Sequence, residues 1–213
     1  MTNSHIGKKE MRSISAQDLE VWVKNGKILE RDTRGPKVIA LSSGLFLKVF
    51  HVRKKTILTN LYPPAISFFQ NTQRLTALGL ATPNVTDVFW TDRTTGTSAC
   101  LYEPLSGESL ETIFKRCPEE INRNLYNIAA FILELHQKGI YFRSLHLGNI
   151  IQTNEKCFGL IDVLDLKFKS GPLKPRHIRR NFNHLMNYLE RRNLNSFPTE
   201  ILLQAYKDLK KTE

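Results

Sequence analysis

Asn149 and Asp162 lie thirteen residues apart, with the short apolar runs "NIIQTN" and "FGLID" spanning the interval. Two such runs around a turn read as a β-hairpin, and a hairpin of that length brings both side chains to its open end. Asp162 offers a charge and Asn149 a neutral carbonyl oxygen. These are the hard donors magnesium takes alongside phosphate oxygens and water; equally, Asn149 can cap a turn and Asp162 can bond a backbone amide. In an apolar strand a bare carboxylate at 162 would be costly to bury, which is a second reason to expect a partner for it. Just upstream, "YFRSLHLGNII" at 141–151 carries Arg143, Ser144 and His146. His146 can accept a proton near neutral pH; equally, it can bond a neighbouring carbonyl as a structural ring. Lys48 stands inside "LFLKVF", where a buried ammonium also needs a partner. Alternation puts Phe46, Lys48 and Phe50 on one side of that strand and Leu45, Leu47 and Val49 on the other. The flanking phenylalanines argue against a purely solvated lysine.

The elements that must position these residues follow from pattern and punctuation. "SAQDLEVWVKNG" reads as a helix over Ser15 to Asn25, with Ser15 as cap, Asp18 at capping-box spacing and Gly26 as stop. "KILERD", "KVIAL" and "LFLKVF" are three strands joined by the turn residues "TRGPK" and "SSG". "AISFFQNTQRLTALGL" is a helix ending near Gly79, and "TPNVTDVFWTD" and "TSACLYEPL" form a further strand pair. The first hundred residues therefore predict a five-stranded antiparallel sheet with one helix between strands three and four. Beyond "EPLSGESL" the character becomes helical. "SLETIFKRC" is short, while "EEINRNLYNIAAFILELHQKG" has Leu125, Ile128, Ala129, Ile132, Leu133 and His136 on one face. After the expected hairpin a basic helical region closes the chain.

A sheet-rich part followed by a helical part, joined at "EPLSG", resembles the protein-kinase-like superfamily. The likeness is to its bacterial lipopolysaccharide-core (Kdo/heptose) sugar kinases, aminoglycoside-phosphotransferase-like proteins and toluene-tolerance-protein-like relatives. It spans roughly Lys27 to Leu189. Its motifs are "FRSLHLGN" set against H-R-D-L-x-x-x-N, "LHLGN" against L-H-x-G-N, "LIDV" for the metal aspartate, and Lys48 for the third-strand lysine. The resemblance implies an α+β, two-lobed kinase-like domain over 1–213. It would have a loose tail at 1–12, a sheet lobe at 13–103, a hinge at 104–108 and a mostly helical lobe at 109–213. It implies ATP and Mg2+ as cofactors, with Lys48 on the nucleotide phosphates, backbone groups near Glu103 and Leu105 on the adenine, and Asn149 and Asp162 on the metal. Arg143 would order the loop, and Ser144 would position the acceptor hydroxyl without taking its proton. This chain departs from the pattern in three places. Gly35 stands alone where a glycine-rich phosphate loop is usual, Phe68 occupies the place of the glutamate that pairs with the lysine, and Ser144 replaces the catalytic aspartate. Asp165, three residues past Asp162, is a further candidate carboxylate, or a partner for Arg143 or a basic residue of the last helix.

Composition narrows the partners. The chain has 213 residues and a net charge of +11, which points to an anionic partner or surface. Between Val163 and Arg192 eight basic side chains stand against two acidic ones. Phosphorylated core sugars or anionic headgroups suit such a cluster. Nucleic acid is disfavoured, because Phe168 and Phe182 are too few for a stacking surface. No stretch approaches the roughly 18 to 20 apolar residues of a membrane span. Cys100, Cys117 and Cys157 form no C-x-x-C pair, so each is expected to be a buried or half-buried small hydrophobe in a reducing, cytoplasmic setting, peripheral to the inner membrane if 167–192 touches it. The leading expectation is an ATP-dependent phosphotransferase acting on a lipopolysaccharide-core sugar hydroxyl. The alternatives are a pseudokinase, which binds nucleotide without transferring phosphate, and a basic adaptor without nucleotide.

Overall fold

The computed structural model describes residues 11–52, 62–154 and 157–212. Of these, 11–52, 62–77 and 82–104 form one compact unit, and 78–81, 105–154 and 157–212 form another. The architecture is α+β.

The first unit opens with β1 (Arg12–Ser13) and α1 (Ala16–Asn25). Ser15 Oγ accepts from Asp18 N at 3.0 Å and donates to Asp18 Oδ2 at 2.7 Å, satisfying one of the amides that a helix start leaves free. Gly26 follows for a packing reason. Its φ is an ordinary −98°, but a Cβ there would lie 2.4 Å from Ile39 Cγ2. The strands β2 (Lys27–Asp32), β3 (Gly35–Ala40), β4 (Phe46–Phe50), β5 (Asn84–Asp92) and β6 (Thr97–Glu103) pair antiparallel, with α2 (Pro64–Ala77) between β4 and β5 in sequence. The sheet order is β1-β5-β6-β4-β3-β2.

The sheet thus has six strands where five were expected, because Arg12 and Ser13 pair in parallel with Phe89 and Trp90. The expected loose tail lies outside the described residues up to residue 10, but Arg12 does not belong to it. Its guanidinium meets Asp87 at 3.2 Å and lies over the Phe89 ring. That long-range contact leaves no trace in local pattern. One sheet face packs Ile39, Leu47, Val49 and Ala99 against Leu19, Trp22 and Val23 of α1. The opposite face meets α2, where Ala65 N donates to Ser98 Oγ at 3.2 Å.

In the second unit β7 (Glu108–Ser109) leads into α3 (Leu110–Arg116) and α4 (Pro118–Gln137). All six residues of the apolar face expected for α4 are buried. Then come β8 (Ile140–Phe142), β9 (Ile150–Asn154), β10 (Cys157–Leu160) and β11 (Leu166–Phe168), followed by α5 (Pro175–Arg191) and α6 (Thr199–Lys211). β9 and β10 are the expected hairpin, whose turn residues 155 and 156 lie outside the described residues. β7 adds to its β9 edge, and Gly107 allows the approach. Its φ is +129°, and a Cβ would lie 2.2 Å from the Gln152 carbonyl oxygen. Segment 78–81 belongs here too, since Leu160 N donates to the Ala81 carbonyl at 2.9 Å and Lys138 Nζ to that of Leu78 at 2.7 Å.

No helix among the described residues is long and apolar enough to cross a membrane. Of the cysteines, Cys100 is buried and Cys117 half-buried, but Cys157 is exposed at the start of β10. The expectation of three covered thiols therefore fails at 157.

A buried polar chain ties the helices of this unit to its loops. The geometry suits one neutral tautomer of His136: Tyr206 Oη donates to Nδ1 at 2.8 Å, and Nε2 donates to Asn181 Oδ1 at 3.3 Å. Asn181 Nδ2 then donates to the Phe142 carbonyl at 2.6 Å. Burial pushes the His136 ring down from 6.5 to about 4. Protonation is therefore resisted in the folded chain but not in the unfolded one, so this contribution to stability is complete above about pH 6.5. It should be lost progressively as pH falls toward 4, by roughly 3 kcal/mol in full. Urea unfolding at pH 7 and pH 4.5 measures the decline, and His136→Gln should flatten its slope.

Candidate functional site

The site in the second unit is built by two backbone closures. β8 pairs antiparallel with β11, with Phe142 opposite Leu166. This sets the residues leaving β8, Arg143 and Ser144, beside the residue entering β11, Asp165. The hairpin closes at its open end through Leu160 opposite Ile150 and Ile161 N donating to the Asn149 carbonyl at 3.0 Å. Between the closures run a 3-10 turn, Leu147–Asn149, and a second, Val163–Asp165.

Asn149 is buried, and its amide is oriented by two acceptors. Nδ2 donates to the Ser144 carbonyl at 3.0 Å and to His146 Nε2 at 3.2 Å. An imidazole that accepts at Nε2 carries its proton on Nδ1, so His146 is neutral here. Burial drives its pKa down to about 4, against the opposing pull of the Asp162 and Glu111 carboxylates. His146 was a candidate proton acceptor. Its basic lone pair is instead spent on Asn149, which makes it a positioning ring.

Asp162 is not in the second strand, as expected, but beyond it. β10 ends at Leu160, and Asp162 is exposed with φ 52° and ψ 47°. So exposed, the carboxylate bears no burial cost. What takes its place is backbone geometry: a non-glycine residue in the left-handed region costs about 1 kcal/mol, and aspartate is among the residues that tolerate it. Among the described residues no cluster of three or more His, Cys, Asp or Glu forms a metal cage of its own. One carboxylate and one amide oxygen do fit magnesium, which draws its remaining ligands from phosphate and water.

Ser144 Oγ donates to Asp165 Oδ2 at 2.7 Å, and Arg143 Nε lies 3.8 Å from the same oxygen. Arg143 is exposed, so its ion pair is weak. Asp165 Oδ1 is buried with no hydrogen-bond partner among the described residues.

A second cluster, which sequence reasoning missed, supports His146 from below. The ring stacks on Tyr188 with centroids 3.9 Å apart and planes 1° from parallel. Tyr188 Oη donates to Glu111 Oε2, and Glu111 Oε1 accepts from Arg192 at 2.8 and 3.0 Å and from Lys115 at 2.5 Å. Burial alone would raise the Glu111 pKa, but the bonds from Lys115, Tyr188 and Arg192 outweigh it and hold the carboxyl at about 2. Burial and the neighbouring carboxylate push the Tyr188 phenol up to about 12. Gly148 belongs to the same packing, since a Cβ there would lie 2.8 Å from Tyr188 Oη. The only signal in the sequence was an acidic residue in the first turn of an apolar helix, which reads equally well as a dipole effect.

In the first unit Lys48 is buried in a ring of aromatics. Its Nζ lies 5.6 Å from the Phe68 ring centre and 5.9 Å from that of Phe50. Phe68 in turn meets Phe50 and Tyr102, and Tyr102 meets Phe46. The expected phosphate loop is a two-residue turn closed on itself, with Asp32 paired to Gly35. Asp32 accepts from Arg34 N at 2.8 Å and from Arg34 Nη2 at 2.8 Å, and these bonds lower its pKa. An amide and a guanidinium that could have met an anion are thereby occupied. Of the expected hinge residues, Glu103 ends β6 exposed and accepts from Asn84 at 3.0 Å, while Leu105 is half-buried in the second unit.

No protein-family model and no curated protein sequence matches this chain. The Tyr188 cluster gives a direct test of how the site is supported. Tyr188→Phe should cost about 1 kcal/mol, by leaving Glu111 one donor short. Tyr188→Ala should cost about 3 kcal/mol, because the stack beneath His146 goes with it. Urea unfolding of the three proteins at pH 7 separates these values.

Proposed function

We propose that the chain is an ATP-dependent phosphotransferase of the protein-kinase-like type, acting on a hydroxyl of a lipopolysaccharide-core sugar. The observation that carries this reading is the backbone closure of Ile161 on Asn149, which leaves Asn149 and the αL Asp162 flanking the open end of the hairpin, with the Asn149 amide tied to the Ser144 carbonyl and Ser144 to Asp165. Phosphoryl transfer is catalysed mainly by positioning and charge neutralisation, and these residues suit both tasks. Asn149 and Asp162 are the oxygen ligands for Mg2+, which when bound neutralises phosphate charge. Lys48, in the first unit, is the phosphate-binding ammonium, and backbone groups near Glu103 and Leu105 take the base. Arg143 orders the loop, and Ser144 faces the acceptor.

Surface charge points to an anionic acceptor. Lys167, Lys169, Lys174, Arg176, Arg179 and Arg180 are exposed and carry no ion pair to an acidic side chain among the described residues. Burial, and then the cations Arg176, Lys169, Arg180 and Lys174, lower the pKa of His177 among them. A phosphorylated sugar or the anionic face of a membrane suits this surface. Arg192 does not contribute freely, being held by Glu111.

A pseudokinase is the second reading, favoured by two departures. Where a glutamate would meet the lysine, the Phe68 ring lies against Lys48, and Ser144 leaves the loop itself without a carboxylate. Both readings include nucleotide binding, and only the first includes transfer.

Two measurements test the proposal. Saturating ATP and Mg2+, at about a hundred times Kd, should stabilise the protein by about 2.7 kcal/mol, or roughly 5–10 °C in Tm for a chain of this size. Asp162→Ala should lose most of that shift and Lys48→Met a large part; an undiminished shift in Asp162→Ala removes the metal assignment. Incubation with γ-labelled ATP and deacylated core oligosaccharide should label the sugar, whereas intact nucleotide binding with no label selects the pseudokinase.

A further inference from the structure

The loop that leaves β8 has no carboxylate, yet one is delivered to it from across the fold. Ser144 Oγ donates at 2.7 Å to Asp165 Oδ2, from a residue 21 positions further along the chain. The bond is not needed to hold the two segments together. β8 and β11 are already registered by Phe142 opposite Leu166, and Lys169 N donates to the Gly139 carbonyl at 2.8 Å beyond the far end of the pair. Nor does it satisfy the carboxylate, whose Oδ1 is buried with no hydrogen-bond partner among the described residues. A buried acceptor left unpaired calls for an explanation beyond packing. Arg143, at 3.8 Å and exposed, is too weak a partner to supply it.

We propose that Ser144 and Asp165 together form the proton-accepting pair of the site, with Asp165 replacing, through the Ser144 hydroxyl, the carboxylate that the loop lacks. The proposal rests on the phosphotransferase reading. In the step it describes, the acceptor hydroxyl gives its proton to Ser144 Oγ as the Ser144 proton passes to Asp165 Oδ2. The acceptor oxygen forms the new bond to the terminal phosphorus of a nucleoside triphosphate. The bond from that phosphorus to its bridging oxygen breaks, and the electron pair leaves with the nucleoside diphosphate. Ser144 ends the step as a neutral hydroxyl and Asp165 as a carboxylic acid, which returns its proton to solvent. His146 takes no part, because its lone pair is engaged by Asn149.

The test uses the full chain with ATP and Mg2+, following transfer to deacylated core oligosaccharide and to water. Asp165→Asn should lower kcat by roughly 10²- to 10⁴-fold, the usual worth of a positioned base, with the KM for ATP unchanged. The ATP-dependent thermal shift should also persist, since Asp165 is not a metal ligand. Ser144→Ala should fall to a similar level, and the double variant no further, because the pair acts as one unit. Exchanging the two residues, Ser144→Asp with Asp165→Ser, should recover at least tenfold over either Asp165→Asn or Ser144→Ala. A loss of kcat under threefold in Asp165→Asn overturns the proposal, as does a loss of its thermal shift. Wild-type protein that binds ATP but transfers to neither acceptor overturns the proposal while leaving nucleotide binding intact. Wild-type protein with no ATP shift at all overturns the phosphotransferase reading and this inference with it.

Discussion

The short pairing of Ile140–Phe142 with Leu166–Phe168 is the constraint on which the chemistry of the second unit depends. Three residue pairs would be marginal alone. They hold because Ile140, Tyr141 and Phe142 are buried and because the Phe142 carbonyl is taken by Asn181, the last link of the Tyr206–His136–Asn181 chain. Buried polar chains of this kind are stabilising only when every member is satisfied. Here the neutral His136 tautomer satisfies both neighbours at once. The consequence reaches the site directly, because the pairing that ends at Phe142 and Leu166 leaves Ser144 within hydrogen-bond distance of Asp165.

The same logic governs the turn that follows. Asn149 can present its amide oxygen in one direction only if its nitrogen is held in another, and His146 does that by staying neutral. Its neutrality comes from burial against Tyr188, and Tyr188 is held by a carboxylate that three donors keep ionised. Charge at Glu111 is therefore used at one remove. Lys115 and Arg192 balance it, and the imidazole above it remains uncharged. Arg192, which composition alone assigns to an anion-binding surface, serves an internal purpose.

In the first unit the burial of Lys48 is arranged differently. Phe50 and Phe68 bring aromatic faces to within 6 Å of the ammonium, an attraction of about 0.5 to 2 kcal/mol that increases as water is excluded. The β4 alternation that sends Leu47 and Val49 toward α1 sends Lys48 toward α2, so the lysine's environment follows from which helix covers which face. At the β2–β3 turn, Asp32 closes the backbone on Arg34, so the tightness of that turn comes from side-chain bonding rather than from glycine alone.

What the sequence by itself determined is what neighbours in the chain decide. Ser15 and Asp18 cap a helix because three residues separate them, alternation in "LFLKVF" assigns two faces, and the apolar face of α4 is buried because 3.6-residue periodicity aligns it. The α+β composition and the β9–β10 hairpin were legible for the same reason. The tertiary structure decided what depends on register between distant segments. Arg12 joins a strand 75 residues away in sequence, Tyr188 and Arg192 reach Glu111 across 77 and 81 residues, and Asp165 meets Ser144 across 21. Asp162 lies past the end of its strand because the hairpin closes one residue earlier, at Ile161. No local rule carries these outcomes. Each follows from the free energy of burying and pairing side chains that only the folded chain brings together.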